Sequence, residues 1–162
     1  MHSDDLERFS RISLKKKNIL AGLGNPFRKD DAAGLHVIDR LASEMLGPAF
    51  TLLKCYQNPE NYFDRFYKDT GCVVFFDALH TIDRDIIILA ESQVGDFSFS
   101  THTFGMRTII GYLSNMINEL SVYIVGIRAK DMSLGEGLSE ETSAIVERVA
   151  GIFGEICKSH MR

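Results

Sequence analysis

The stretch GCVVFFDAL, residues 71–79, constrains this chain more than any other: it is apolar or small at every position but one, Asp77. A run of that kind is a strand that needs cover on both faces. Its single carboxylate, half buried by the sheet, then needs hydrogen-bond donors or a cation. Four further short apolar runs accompany it: KNILAGLG (17–24), AFTLLKCY (49–56), DIIILAES (85–92) and SVYIVGIR (121–128). Between the runs, apolar residues recur at helical spacing. One stripe joins Leu35, Ile38, Leu41, Ala42 and Met45 and is ended by Gly47-Pro48; another joins Met106, Ile109, Ile110, Leu113, Met116 and Ile117. A last stripe carries Ile145, Val149, Ile152, Phe153 and Ile156 behind Ser139, an N-cap. PENYFDRFYKD (59–69) reads as a shorter amphipathic helix.

That alternation predicts an α/β three-layer sandwich: a mostly parallel, five-stranded twisted sheet with helices on both faces. The segment 80–92 is also compatible with a hairpin, which would make one strand antiparallel. A single domain is expected over 17–162, preceded by a polar N-terminal extension over 1–16 with little periodicity. The chain has 162 residues, 45% hydrophobic and 25% charged, enough for one sizeable core.

With a formal net charge of -4 and a pI near 5.7, no global basic field recruits nucleic acid. The one basic run, Lys15-Lys16-Lys17, reads as a solvated edge. No apolar stretch approaches the roughly 20 residues that span a bilayer, and the N-terminus lacks the apolar segment of a signal peptide. Cys55, Cys72 and Cys157 are far apart and have no C-x-x-C spacing; Cys72, opening an apolar strand, and Cys157, on a helical stripe, read as reduced core residues. The expectation is a cytoplasmic monomer without a membrane or nucleic-acid partner.

In an open parallel sheet the ligand crevice lies beyond the carboxyl ends of the strands. Three polar features fall at such ends: Asp31 after the first strand, Asp77, and His102 before the helix that follows the fourth. Two carboxylates and an imidazole make a mixed O/O/N site for a divalent transition metal, with positions left open. Each residue has a plainer role open to it as well. Asp31 can be favourable charge in a first helical turn, Asp77 can accept backbone N–H groups, and His102 can cap or pack under its helix. His80 is the rival to His102. Asp30 is expected to be exposed and His36 structural, while His2 and His160 lie near the chain ends. Gly22 and Gly24 match G-x-G, but Phe27 occupies the place of a third glycine and no acid closes the second strand, which argues against a dinucleotide site. The glycines instead allow a tight turn and leave room for a ligand or substrate chain.

Four segments in this order, GLGNPFRKDDAAGLHVID, VVFFDA, STHTFGM and GIRAKDMSLGEGLSEETSAIVERV, resemble the hydrogenase maturation proteases, whose first motif is roughly G-x-G-N, a short spacer, then D-(D/E)-x-x-G. The resemblance spans about residues 18–157. It implies an endopeptidase that removes the C-terminal extension of a nickel-iron hydrogenase large-subunit precursor after nickel insertion. It also implies that Asp31, Asp77 and His102 bind nickel carried by the precursor, with cadmium or zinc as surrogates. No Ser-His-Asp ordering or H-E-x-x-H motif offers a conventional protease mechanism; the cleavage chemistry stays open, with the implied metal ligands Asp31, Asp77 and His102 as candidates. Gly24, Asn25, Gln57 and Asn58 form the expected substrate loop. There the sequence departs from the family, which usually has a G-(T/S) pair where this chain has Gln57 and Asn58. That departure keeps a non-cleaving nickel-dependent assembly factor or metallochaperone in view. GLGNP also opens the peptidyl-tRNA hydrolases, but Phe27, the KDDAAG stretch and the acidic balance fit that esterase poorly.

Overall fold

The computed structural model describes residues 3–80, 82–96 and 105–162. Five strands, β1 (Asn18–Leu23), β2 (Phe50–Tyr56), β3 (Cys72–Leu79), β4 (Ile86–Ala90) and β5 (Ser121–Arg128), form one sheet in the order β2-β1-β3-β5-β4. Among the described residues four α-helices accompany them: α1 (Ser3–Phe9), α2 (Ala33–Ala42), α3 (Met106–Met116) and α4 (Glu140–His160).

The burial of each strand follows from its place in the sheet. β1 and β3 are buried at every position, as strands flanked on both edges and covered on both faces must be. β3 pairs in parallel with β1 on one side and along its whole length with β5 on the other. β4 is the one antiparallel member and pairs with β5. The antiparallel strand that the segment 80–92 allowed is therefore present, paired with β5 and not with the preceding β3. The chain passes over one strand position, which β5 later fills, and the half-buried β4 takes the edge where partial solvation is tolerated.

Each face of the sheet has its own core. Leu20, Val74, Phe76, Val125 and Ile127 pack under α2 and α4 against Val37, Leu41, Val149 and Phe153. On the opposite face, Ile19, Ala21, Val73, Phe75 and Ile124 meet Ile109, Ile110 and Leu113 of α3. Residues 3–16 contribute to the first core through Phe9 and Ile12. Phe9 is 0% exposed and sets its ring edge-on to Phe153, with centroids 5.8 Å apart, and Ile12 is also buried. Arg8 Nη1 donates to the Ile86 carbonyl at 3.0 Å, and Asp5 pairs with Arg148 at 3.0 Å, so α1 is attached to both β4 and α4.

Two expected helices are shorter than their patterns suggested. The stripe running to Met45 ends at Ala42; Met45 has a positive φ of 51° and is exposed, while Leu46 turns into the core. PENYFDRFYKD forms only a 3-10 helix, Pro59–Arg65. Among the described residues, no helix is long and apolar enough to cross a membrane.

Candidate metal-reading site

The site begins where β1 ends. Gly24 has φ +136°, and a Cβ there would lie 1.9 Å from the Asp31 carbonyl oxygen, so the chain can double back this tightly only with glycine. The Gly24 N–H donates to the Tyr56 carbonyl at 3.0 Å. This bond ties the ends of β1 and β2 and sets Gly24 and Asn25 near Gln57 and Asn58. Asn25 Oδ1 accepts the Phe27 N–H at 2.9 Å, a side-chain turn that steers the backbone into the 3-10 helix Lys29–Ala32.

Asp31 sits in that 3-10 turn, 1% exposed, and its Oδ2 accepts the Asn25 N–H at 3.1 Å. α2 follows at once, and Gly34 sets how close it comes. A Cβ on Gly34 would stand 2.1 Å from the Phe76 carbonyl oxygen and 2.6 Å from that of Leu23. The start of α2 therefore rests directly on the backbone ends of β1 and β3. Asp77, the residue after Phe76, is also 1% exposed, and its Oδ1 accepts the Ala78 N–H at 2.9 Å. It shares the strand face of Val73 and Phe75, the α3 side of the sheet. Asp31 and Asp77 thus lie on segments that meet where the end of β1, the last residues of β3 and the start of α2 come together.

His102 lies outside the described residues, in the segment leading to α3. Among the described residues, no three His, Cys, Asp or Glu side chains gather as a metal-holding group. His80 is exposed and completes no such trio with the two aspartates. His36 is half-buried on α2, and His160, exposed in the last turn of α4, has Nε2 2.7 Å from the Lys15 carbonyl oxygen. Gln57 and Asn58 are half-buried, and the Asn58 amide donates to Glu60 Oε1 at 3.0 Å.

Asp30 departs most from expectation. It is 0% exposed rather than solvated. Its carboxylate receives the backbone N–H groups of Lys130 at 2.9 Å, Asp131 at 2.8 Å and Ser139 at 2.6 Å, and the Ser139 hydroxyl at 2.8 Å. Burial works against its ionisation, but the donors on Asp131, Ser139 and Lys130 outweigh that and hold the carboxyl below the usual carboxylate range. Nothing local to residue 30 announces partners about a hundred positions away. The signal available in the sequence was Ser139, the α4 N-cap, whose Oγ accepts the Thr142 N–H at 3.3 Å.

No protein-family profile matches the chain. A Methanocaldococcus jannaschii protein assigned as a hydrogenase maturation protease is 28% identical over 153 residues, covering 87% of this chain and 88% of its own. The solved NiFe hydrogenase maturation protease HycI of Thermococcus kodakarensis superposes with a TM-score of 0.81 at 28% identity, over 96% of this chain and 99% of its own. The chain is a homologue of the hydrogenase maturation proteases. The E. coli hydrogenase maturating endopeptidase HybD, at 16% identity and a TM-score of 0.71 over 83% of this chain and 88% of its own, shares the same fold. The five-stranded sheet with its one antiparallel pair is therefore the architecture of these maturation proteases.

Proposed function

We propose that the chain is an endopeptidase that removes the C-terminal extension of a nickel-iron hydrogenase large-subunit precursor once nickel has been inserted. The observation that carries this reading is the pair of solvent-excluded carboxylates, Asp31 and Asp77, at one rim of a fold shared with proteins named for that activity. Two like charges kept out of water are costly unless a cation or convergent donors compensate them. Ionised carboxylates are acceptors only, and a pair of them beside an imidazole suits a divalent transition metal.

In this reading Asp31 and Asp77 supply oxygen donors and His102 a nitrogen. Three protein donors leave coordination positions for groups that the precursor brings with its nickel. Such a set reads a metal already held by the substrate and does not retain one of its own; cadmium or zinc would fill the same donors as surrogates. Gly24, Asn25, Gln57 and Asn58 border the rim and would meet the precursor chain. The protein would work as a monomer in the cytoplasm, where a newly metallated precursor is found.

A second reading is favoured by one feature, the Gln57-Asn58 pair in place of glycine and a hydroxyl residue. A chain with that loop would hold the nickel-loaded precursor without cutting it, as an assembly factor. Incubation with nickel-loaded precursor followed by intact-mass measurement separates the two. Loss of a C-terminal peptide is the expected result, and a stable complex of unaltered mass would favour the assembly factor. Unaltered mass with no complex would remove both.

A further inference from the structure

We infer that Asp30 is a positioning residue for Asp31: it pins the 129–139 loop and the start of α4 to the turn that carries the metal-reading carboxylate. This rests on the assignment of Asp31 to the metal site above.

The pin has two sides. On one, the Asp30 carboxylate gathers donors from both ends of the loop: Lys130 and Asp131 at its start, and the N–H and hydroxyl of Ser139 at its close. On the other, the backbone zips the same segments together. The Asp30 N–H donates to the Asp131 carbonyl at 3.0 Å, the Lys29 N–H to the Gly135 carbonyl at 2.9 Å, and the Gly135 N–H to the Phe27 carbonyl at 2.9 Å. Arg28 Nε reaches the Met132 carbonyl at 3.1 Å, and Lys29 Nζ pairs with Asp131 at 2.6 Å.

The loop is itself fixed to the core. Ser139 caps the 21-residue α4, and Thr142 Oγ1 donates to the Arg128 carbonyl at the end of β5 at 3.2 Å. The position of Asp30 is thereby set by α4 and β5, elements other than the one that carries it. Asp31 is the next residue in a short 3-10 turn, and its side chain is held from the other direction by the Asn25 N–H. A shift of Asp30 therefore passes directly into the placement of the Asp31 carboxylate. An acid at position 30 has a different task from its neighbour: one acid gathers the scaffold and the other faces the metal.

The Asn25 N–H reports on that placement, because its acceptor is Asp31 Oδ2. Amide exchange by NMR at Asn25 and cadmium titration are to be measured for the unaltered protein, Asp30→Asn, Ser139→Ala and the control Leu41→Ala. Leu41 is a core position at the far end of α2, and its truncation lowers stability without touching the rim. Asp30→Asn is expected to speed exchange at Asn25 and weaken cadmium binding, each by about tenfold or more. Ser139→Ala, which removes one of the four bonds, is expected to shift both in the same direction by less. Leu41→Ala is expected to lower the melting temperature and leave both unchanged. Unchanged Asn25 exchange in Asp30→Asn and Ser139→Ala would overturn the inference; if Asp30→Asn does not fold, Ser139→Ala decides. Failure of the unaltered protein to bind cadmium would defeat the metal-site reading alone, and Asn25 exchange would still judge the pin.

Discussion

Gly34→Ala sets two physical effects against each other. In a helix, alanine is favoured over glycine by about 1 kcal/mol, so propensity alone predicts a more stable protein. Packing predicts the reverse. The new methyl group would stand 2.1 Å from the Phe76 carbonyl oxygen and 2.6 Å from the Leu23 carbonyl oxygen, whereas side-chain Cβ atoms essentially never come within 3.0 Å of such atoms. Both obstacles are backbone of central strands, so neither can rotate away, and α2 must lift by roughly 1 Å. Overpacking of this kind costs about 1–3 kcal/mol, and a rigid obstacle puts it at the upper end. The net expectation is a loss of about 1–2 kcal/mol, which lowers the melting temperature by about 2–4 °C per kcal/mol in a chain of this size. Gly151→Ala is the matched comparison: it lies mid-helix in α4 with nothing within 4 Å of a new Cβ, and should gain about 0.5–1 kcal/mol. Urea unfolding of both variants should move the midpoints in opposite directions. A higher midpoint for Gly34→Ala would refute the claim that α2 is seated on the strand ends.

Phe9→Ala empties a site of 0% exposure against Phe153 and should cost about 3–5 kcal/mol by urea unfolding; a change under about 1 kcal/mol would show that residues 3–16 do not support the core. The three thiols, Cys55, Cys72 and Cys157, are each pushed up to about 12 by burial, so the native protein should resist alkylation at pH 8 and react only once urea unfolds it. The same shifts fix the sign of an alkaline effect. Unfolded thiols ionise near 9.0, while the folded ones keep their protons to about 12. Their contribution is therefore complete below pH 9 and falls away as pH rises toward 12, which urea midpoints at pH 8 and pH 10 would register.

The sheet was legible because its strands are buried in ways that leave marks in sequence. β3 is unbroken apolar residue up to Asp77, and β5 and β1 are nearly so. Their alternation with helical stripes fixes a layered α/β architecture. The neighbour of β4 was not legible: the apolar run 85–92 pairs as well with β3 as with β5, and the choice depends on the chain beyond it. α1 escaped notice because, of its apolar residues, Phe9 is buried while Leu6 is exposed, which leaves no periodic signal. Asp30 and Asp31 show the limit most plainly. Adjacent acids of identical chemistry are both buried, and partners about a hundred residues away separate the scaffold acid from the rim acid. Its place after the first strand made Asp31 a candidate, and the likeness of the GLGN and DDAAG segments to a known family added what that acid is expected to bind.

Cadmium soaked into crystals of the protein, located by its anomalous scattering, tests the central claim most directly. The account predicts one strong peak at the carboxyl rim, within bonding distance of both the Asp31 and Asp77 carboxylates and the His102 ring. It also predicts that binding is lost in Asp31→Ala and Asp77→Ala and kept in His80→Ala. A peak elsewhere, or a rim in which the two carboxylates contact no common ion, would contradict it.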